Sequence, residues 1–186
     1  MKTTNSVSTG FSGEVTLSPG GIGPRLALLC LPYIILSLVV MNRYPQFFDL
    51  RFLDFAYVKV LGFIWLGAGI IFWIYSAIFF LMYFKTGKLI TKGPFALCRN
   101  PIYSSLIVFL IPSLAIIFHS GLIFSISLVL YIGFKISIHG ETRILRRFFG
   151  EEYEIYERSV NEIIPFPRYL FQGKNPRPLT LSARAN

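Results

Sequence analysis

Residues 85–105, KTGKLITKGPFALCRNPIYSS, decide how the chain is read. The stretch carries Lys85, Lys88, Lys92 and Arg99, no acid, a Gly93-Pro94 turn and an Asn100-Pro101 step into the next apolar run. Apolar runs of roughly membrane length, on the scale of ~20 residues, flank it on both sides. Irregular polar backbone between such runs is tolerated where it leaves the hydrocarbon or lines a site. The expectation is a loop at headgroup level, over residues 85–101, that binds a cofactor.

Composition agrees with a membrane setting. The 186 residues are 54% hydrophobic and 17% aromatic, far from a soluble domain. A net charge of +9 raises nucleic acid as a partner, but the basic residues sit beside apolar runs, where they act as an orientation signal. No nucleic-acid partner is expected. Cys30 lies inside an apolar run and Cys98 in the basic loop, so neither suggests a disulfide. His119 and His139 are too isolated for a zinc-type cluster, and no metal site is expected.

The rest of the chain predicts an all-α integral membrane protein. Residues 1–24, rich in Ser, Thr and Gly, read as a mobile tail without a convincing signal peptide. Spans are expected at 26–41, with Pro32 inside, and at 56–84, 102–118 and 122–138. Residues 42–55, with Tyr44, Phe47, Phe48 and Phe52, suit the membrane interface. At about 1.5 Å per residue the second span reaches roughly 43 Å, beyond a ~30 Å core, so it delivers the 85–105 loop to the membrane surface. Its glycines, Gly62, Gly67 and Gly69, form a small-residue face that permits a close dimer contact. The connection His119-Ser120-Gly121 forces a tight helical hairpin.

Residues 139–164 change character. Ile144, Leu145, Phe148, Phe149, Tyr153, Tyr156 and Val160 recur at helical spacing among charges, which predicts amphipathic helices broken at Gly150 and stopped at Pro165. Glu141 shares a face with Leu145 and Phe148, aiming a carboxylate at the apolar side. Residues 168–186 read as a loose basic tail. Lys and Arg gather on the side holding both tails and the 85–105 loop, so the positive-inside rule places those segments in the cytosol.

Leu89 and Ile90 before Gly93-Pro94-Phe95, then Arg99-Asn100-Pro101-Ile102-Tyr103, then the hairpin, then Glu141, Leu145, Phe149-Gly150, Tyr153 and Tyr156 form an ordered set. That set resembles the superfamily of isoprenylcysteine carboxyl methyltransferases and phospholipid methyltransferases, integral membrane enzymes that use S-adenosyl-L-methionine. The resemblance covers about residues 56–167. It implies that Leu89, Ile90, Gly93 and Phe95 line the adenosyl pocket. Arg99, Asn100, Pro101 and Tyr103 correspond to the family's Arg-His-Pro-x-Tyr box, and Glu141 to the glutamate that contacts the cofactor's methionine part. Two departures stand out. Glu141 is followed by Thr142 where a second glutamate is common, and Ser137 replaces the arginine that isoprenylcysteine enzymes place four residues earlier, leaving Lys135 or Arg143 as stand-ins.

The chemistry suits these residue types. Methyl transfer from a sulfonium needs alignment and exclusion of water rather than a metal or a triad. Glu141 suits an ammonium and Arg99 a carboxylate, so these are the candidate catalytic residues; Leu89, Ile90, Gly93, Phe95, Asn100, Pro101, Tyr103 and Glu141 are the candidate cofactor residues. Plainer readings compete. Lys85, Lys88 and Lys92 serve as snorkelling anchors, Asn100-Pro101 as a helix start, Tyr103 as an interfacial ring, and Tyr153 and Tyr156 as packing residues. The acceptor is expected to be a lipophilic substrate entering from the bilayer, either a prenylcysteine-type carboxylate or a phospholipid amine. A non-catalytic membrane scaffold is the competing class.

Overall fold

The computed structural model describes residues 22–44, 48–50, 55–84 and 86–166. The two tails lie largely outside the described residues, as does Lys85. Among the described residues five α-helices follow in order, α1 (Gly23–Arg43), α2 (Ala56–Phe84), α3 (Pro101–Ile117, with a π-helical turn inside it), α4 (Gly121–Phe149) and α5 (Glu151–Ser159), with a short 3-10 turn at Gly93–Ala96 between α2 and α3. No strand occurs among the described residues.

α1, α2 and α4 are long and apolar enough to cross a membrane; α3 is a shorter apolar helix. Their outer faces carry large exposed side chains such as Leu28, Ile71, Leu81 and Ile136. In water such a surface would aggregate, whereas lipid solvates it. Between α3 and α4 the expected tight turn is present, with His119 at φ 50° and the Ser120 hydroxyl accepting from the Ile123 amide at 3.4 Å. Leu50 of the α1–α2 connection donates its amide to His119 at 2.7 Å, so the two connections meet at one end of the bundle.

Lipid tails are as apolar as leucine, so close contact and hydrogen bonds hold the helices together. Along α2, Gly62, Gly69 and Ser76 are buried one heptad apart. A Cβ on Gly69 would lie 2.6 Å from Phe109, and one on Gly62 3.1 Å from Ile116. The expected glycine face is thus spent inside the chain, against α3, and Gly67 meets open space. Similarly α4 approaches α1 at Gly133, where a Cβ would lie 2.8 Å from Cys30 Sγ. Tyr33 and Ser125 join their hydroxyls at 2.7 Å between the same helices.

α3 widens into a π-helical turn at Ser105–Leu110, just before Pro112. Proline brings no N–H to the carbonyl four residues back, that of Val108. That oxygen accepts the Trp65 indole N–H of α2 at 3.1 Å, and the neighbouring Ile107 carbonyl accepts from Ser127 of α4. The irregular turn is therefore bonded from both sides.

Two boundaries differ from the expectation, the start of the amphipathic segment and its end, which falls at Ser159. Residues 139–149 do not begin a new helix at His139; they continue α4 without a break to Phe149. Gly150, at φ 53°, ends it, and α5 begins with Glu151, Glu152 and Glu154 in its first turn, where acids favour the helix dipole. Residues 160–166 leave helical structure before Pro165.

Replacing Gly69 by alanine should wedge α2 from α3 and cost about 1–3 kcal/mol. Gly67→Ala, in open space, should be neutral or slightly stabilising. Thermal unfolding in detergent should separate the two variants clearly.

Candidate functional site

The loop after α2 is pinned by backbone geometry first. Gly93 has φ +61°, and a Cβ there would lie 2.7 Å from the Phe79 ring, so both conformation and space call for glycine. The Phe95 ring then settles against Phe79 and Phe80 of α2, with centroids 6.4 and 6.3 Å away. Pro94, Cys98 and Pro101 are fully buried. Burial pushes the Cys98 thiol up to about 11, which leaves it protonated.

A second layer comes from the C-terminal segment. Arg99 and Asn100 donate their amides to the carbonyls of Asn161 and Glu162 at 2.8 and 3.1 Å. The Arg99 guanidinium reaches Glu157 at 2.6 Å, Glu162 at 3.7 Å and the Tyr153 hydroxyl at 3.4 Å. Glu157 also binds Arg146 at 2.7 Å, and Glu162 also binds Lys135. Arg99, Arg146, Glu154, Glu157 and Arg158 line a cavity of about 430 Å³ at this surface.

Arg99 is thereby engaged as a strut between the loop and α5. Burial works against its charge, but the hydrogen bond to Glu157 and the nearby Tyr153 outweigh it and raise its pKa. For Glu157, burial again disfavours charge. Hydrogen bonds from Arg146 and Arg99 prevail and hold the carboxyl below its ordinary value of 4.5.

The other predicted residues divide between support and site. Asn100 stands at the start of α3 but does not cap it; its side-chain amide donates to the Glu162 carbonyl at 3.2 Å. Leu89 packs on a cluster of Tyr153, Tyr156 and Val160 together with Leu145 and Phe149. Tyr156 donates to the Phe95 carbonyl at 2.7 Å, so both α5 tyrosines are packing residues. Ile90 is half-buried in the same loop, and Lys88 and Lys92 are exposed. The inward face of α4 runs Ile138, Glu141, Leu145, Phe149, whereas Phe148 points outward at 44% exposure. The face turns one residue from the expected one.

Glu141 and Tyr103 are brought together. Ile138 belongs to the apolar cluster with Phe134, Ile107, Leu26 and Ile163, against which Tyr103 packs, and Leu145 to the cluster under α5. Glu141 sits on the same face between them, electrostatically coupled to the Tyr103 hydroxyl. Tyr103 stacks at a tilt on Phe134 at 5.4 Å, and its hydroxyl lies 3.5 Å from where a Cβ on Gly23 would be. Glu141 is half-buried and forms no hydrogen bond or ion pair among the described residues. The structure thus separates the predicted pair: the terminal nitrogens of Arg99 are engaged by Glu157, Glu162 and Tyr153 while its buried Nε has no partner among the described residues, and Glu141 is left to interact.

Sequence reasoning missed Glu157 and Glu162, and it read Lys135 as a stand-in for the family's arginine rather than as the partner of Glu162. Arg99 and Glu157 are 58 residues apart, and no spacing rule links them. The available signal was an excess of acids on the helix following Gly150, opposite a basic loop.

Because the Glu157 pKa is depressed on folding, its contribution to stability is complete above about pH 4.5 and is lost as pH falls through the lower folded value. Thermal unfolding of the wild type should therefore weaken as pH drops below 4.5. Glu157→Gln should start less stable at neutral pH and show a flatter acid limb; parallel acid limbs would contradict the strut.

A family profile described as phospholipid methyltransferase matches residues 56–152. Two curated rice proteins, each named probable protein-S-isoprenylcysteine O-methyltransferase and drawn from the indica and japonica subspecies of Oryza sativa, are 35% identical over 79 residues. The matched region is 42% of this chain and 41% of each relative, so the match spans about two fifths of their length. No solved structure matches. The profile begins at the first residue of α2 and ends inside α5, taking in the basic loop, the hairpin and Glu141. On that match, the chain belongs to the phospholipid methyltransferase family.

Proposed function

We propose that the protein transfers a methyl group from S-adenosyl-L-methionine to a lipophilic acceptor carried in the membrane, in the manner of the isoprenylcysteine carboxyl methyltransferases. In this reading α1 to α4 each cross the bilayer. The tails, the 86–100 loop and α5 face the cytosol, which the excess of basic residues at that end supports.

One observation carries the reading: the half-buried Glu141 carboxylate, without hydrogen-bond or ion-pair partners among the described residues, set between two apolar clusters beside Tyr103. A carboxylate in that position is costly unless a cation joins it. The ammonium group of the cofactor is such a cation.

When bound, S-adenosyl-L-methionine supplies an electrophilic methyl on a sulfonium. The chain's own residues then bind, orient and keep out water. Glu141 holds the ammonium end, and Tyr103 and Pro101 wall the site. Leu89, Ile90, Gly93 and Phe95 cover the apolar part. Arg99 and Asn100 act as positioning residues, fixing the loop to residues 157–162 so that this cover keeps its shape. Placing the loop costs conformational entropy, and the ion pairs spend it at folding rather than at binding.

A second reading, N-methylation of a phospholipid amine, is favoured by the description of the matched family. There a proton must leave the amine, and Glu141 is the nearest base. Labelled methyl transferred from the cofactor into total membranes, followed by identification of the labelled lipid, separates the two acceptors.

Calorimetry of the detergent-solubilised protein with S-adenosyl-L-methionine should give saturable heat. Glu141→Gln should weaken that binding about tenfold or more, the worth of a charge-assisted hydrogen bond. Arg99→Lys should lower the unfolding temperature while changing affinity much less. Absence of heat with the wild type would sink the methyltransferase reading and leave the scaffold class.

A further inference from the structure

The face of α4 that looks away from the bundle carries Ile132, Ile136, Gly140, Arg143 and Arg147, all exposed. Their spacing keeps them on one stripe, and Ile136 to Arg147 spans roughly three turns. The first half of the stripe is isoleucine against lipid. The second half is arginine, just past the end of the apolar run at Ile138. Beside the arginines stand Ile144 and Phe148, 41% and 44% exposed. Large apolar side chains left bare among cations make a mixed face that suits the membrane interface better than open water.

The charges on this face are of one sign and uncommitted. Arg143 and Arg147 form no hydrogen bond or ion pair among the described residues, whereas Arg146, between them in the chain, is bound by Glu157. Arg25, exposed in the first turn of α1, has no such partner either. Its neighbour Leu26 packs in one cluster with Ile138, which sets Arg25 at the same end of the bundle. The acids of this end are sorted elsewhere. Glu141 is on the inward face of α4, Glu151, Glu152, Glu154 and Glu157 are on α5, and Glu162 follows α5. A water-facing helix surface commonly intersperses both signs, and this one presents only cations.

Geometry makes the bilayer the source of the matching anion. At about 1.5 Å per residue, Arg143 stands roughly 8 Å and Arg147 roughly 14 Å beyond Ile138 along the helix axis. The headgroup layer is about 5–8 Å deep on each side, and a helix longer than the ~30 Å core tilts, which brings an outer face down toward it. Helical side chains also lean toward the N-terminus, which for α4 is back toward the bilayer, and a long arginine stem covers the remaining distance. We propose that the outer face of α4, from Gly140 to Phe148, docks on anionic phospholipid headgroups, with Arg143 and Arg147 paired to their charge and Ile144 and Phe148 resting on the interface. Glu141 lies on the opposite face of the same turns, so the contact braces from outside the part of α4 that carries the candidate site. The docking surface stands or falls independently of methyl transfer.

The test uses the full chain in neutral detergent, given equal amounts of phosphatidylglycerol and phosphatidylcholine with the same acyl chains, and counts the retained lipids by native mass spectrometry. The wild type should retain phosphatidylglycerol about tenfold over phosphatidylcholine, and the preference should shrink in high salt. Arg143→Gln and Arg147→Gln should each lower the preference about threefold, and the two together should bring it to about parity. Replacing both by lysine should keep most of it. Arg158→Gln, which removes the same charge from α5, should leave it unchanged. The α4 variants should unfold at the wild-type temperature, since neither arginine has a partner to lose among the described residues. Equal retention of the two lipids by the wild type, or an unchanged preference in the double variant, would overturn the proposal. Displacement of the bound lipid by soluble glycerol phosphate would overturn it as well, because the arginines would then read a free phosphate rather than a lipid surface.

Discussion

The interaction on which the rest of the structure depends is the clamp around Arg99. Its guanidinium is nearly buried and shared between Glu157, Glu162 and Tyr153, while the adjoining backbone pairs with residues 161 and 162. A charge placed there needs several partners, because burying one without them costs several kcal/mol. Once Glu157 and Glu162 are drawn in, α5 is laid across the loop, and Tyr153 and Tyr156 close over Leu89 and Phe95. The polar clamp fixes the loop in one register against α5 and the C-terminal part of α4, whose Lys135 and Arg146 share its acids.

Beneath the clamp the bundle is assembled from small residues and hydroxyls. Gly62 and Gly69 admit α3, Gly133 admits Cys30 of α1, and Tyr33 with Ser125 and Trp65 with Val108 provide bonds between helices. This is the packing expected where the solvent is lipid and burial of hydrocarbon confers no advantage. The π-helical turn of α3 follows from the same economy of donors, since Pro112 frees a carbonyl that only a neighbouring helix can satisfy. Because α3 is held on both sides, Tyr103 near its start is held too, against Phe134 of α4.

Much of this was legible in the chain. The apolar runs, the three-residue hairpin, the Gly93-Pro94 turn, the stop at Gly150 and the inward aim of Glu141 are all consequences of neighbours within a turn or two. The site was half legible. Glu141 and Tyr103 interact electrostatically, whereas Arg99 turns to α5, and Asn100 bonds the Glu162 carbonyl instead of capping α3. The glycine face of α2 was recognisable, whereas its use against α3 in this chain was not.

Hydropathy, helical period and turn chemistry are local properties, so the amino-acid sequence by itself determined the helices, their order and the end of the bundle at which the basic loop emerges. Which acid meets Arg99, which buried hydroxyls lack a partner, and which face of α4 looks at α1 are decided by contacts between residues far apart in the chain. Such contacts are chosen by the competition among many donors and acceptors for few positions, and only the folded arrangement settles that competition. The same holds for the residues 85–105 that opened the reading: their composition announced a membrane-surface loop, and the tertiary structure turned its arginine into a strut and left the carboxylate of α4 between two apolar clusters without a partner among the described residues.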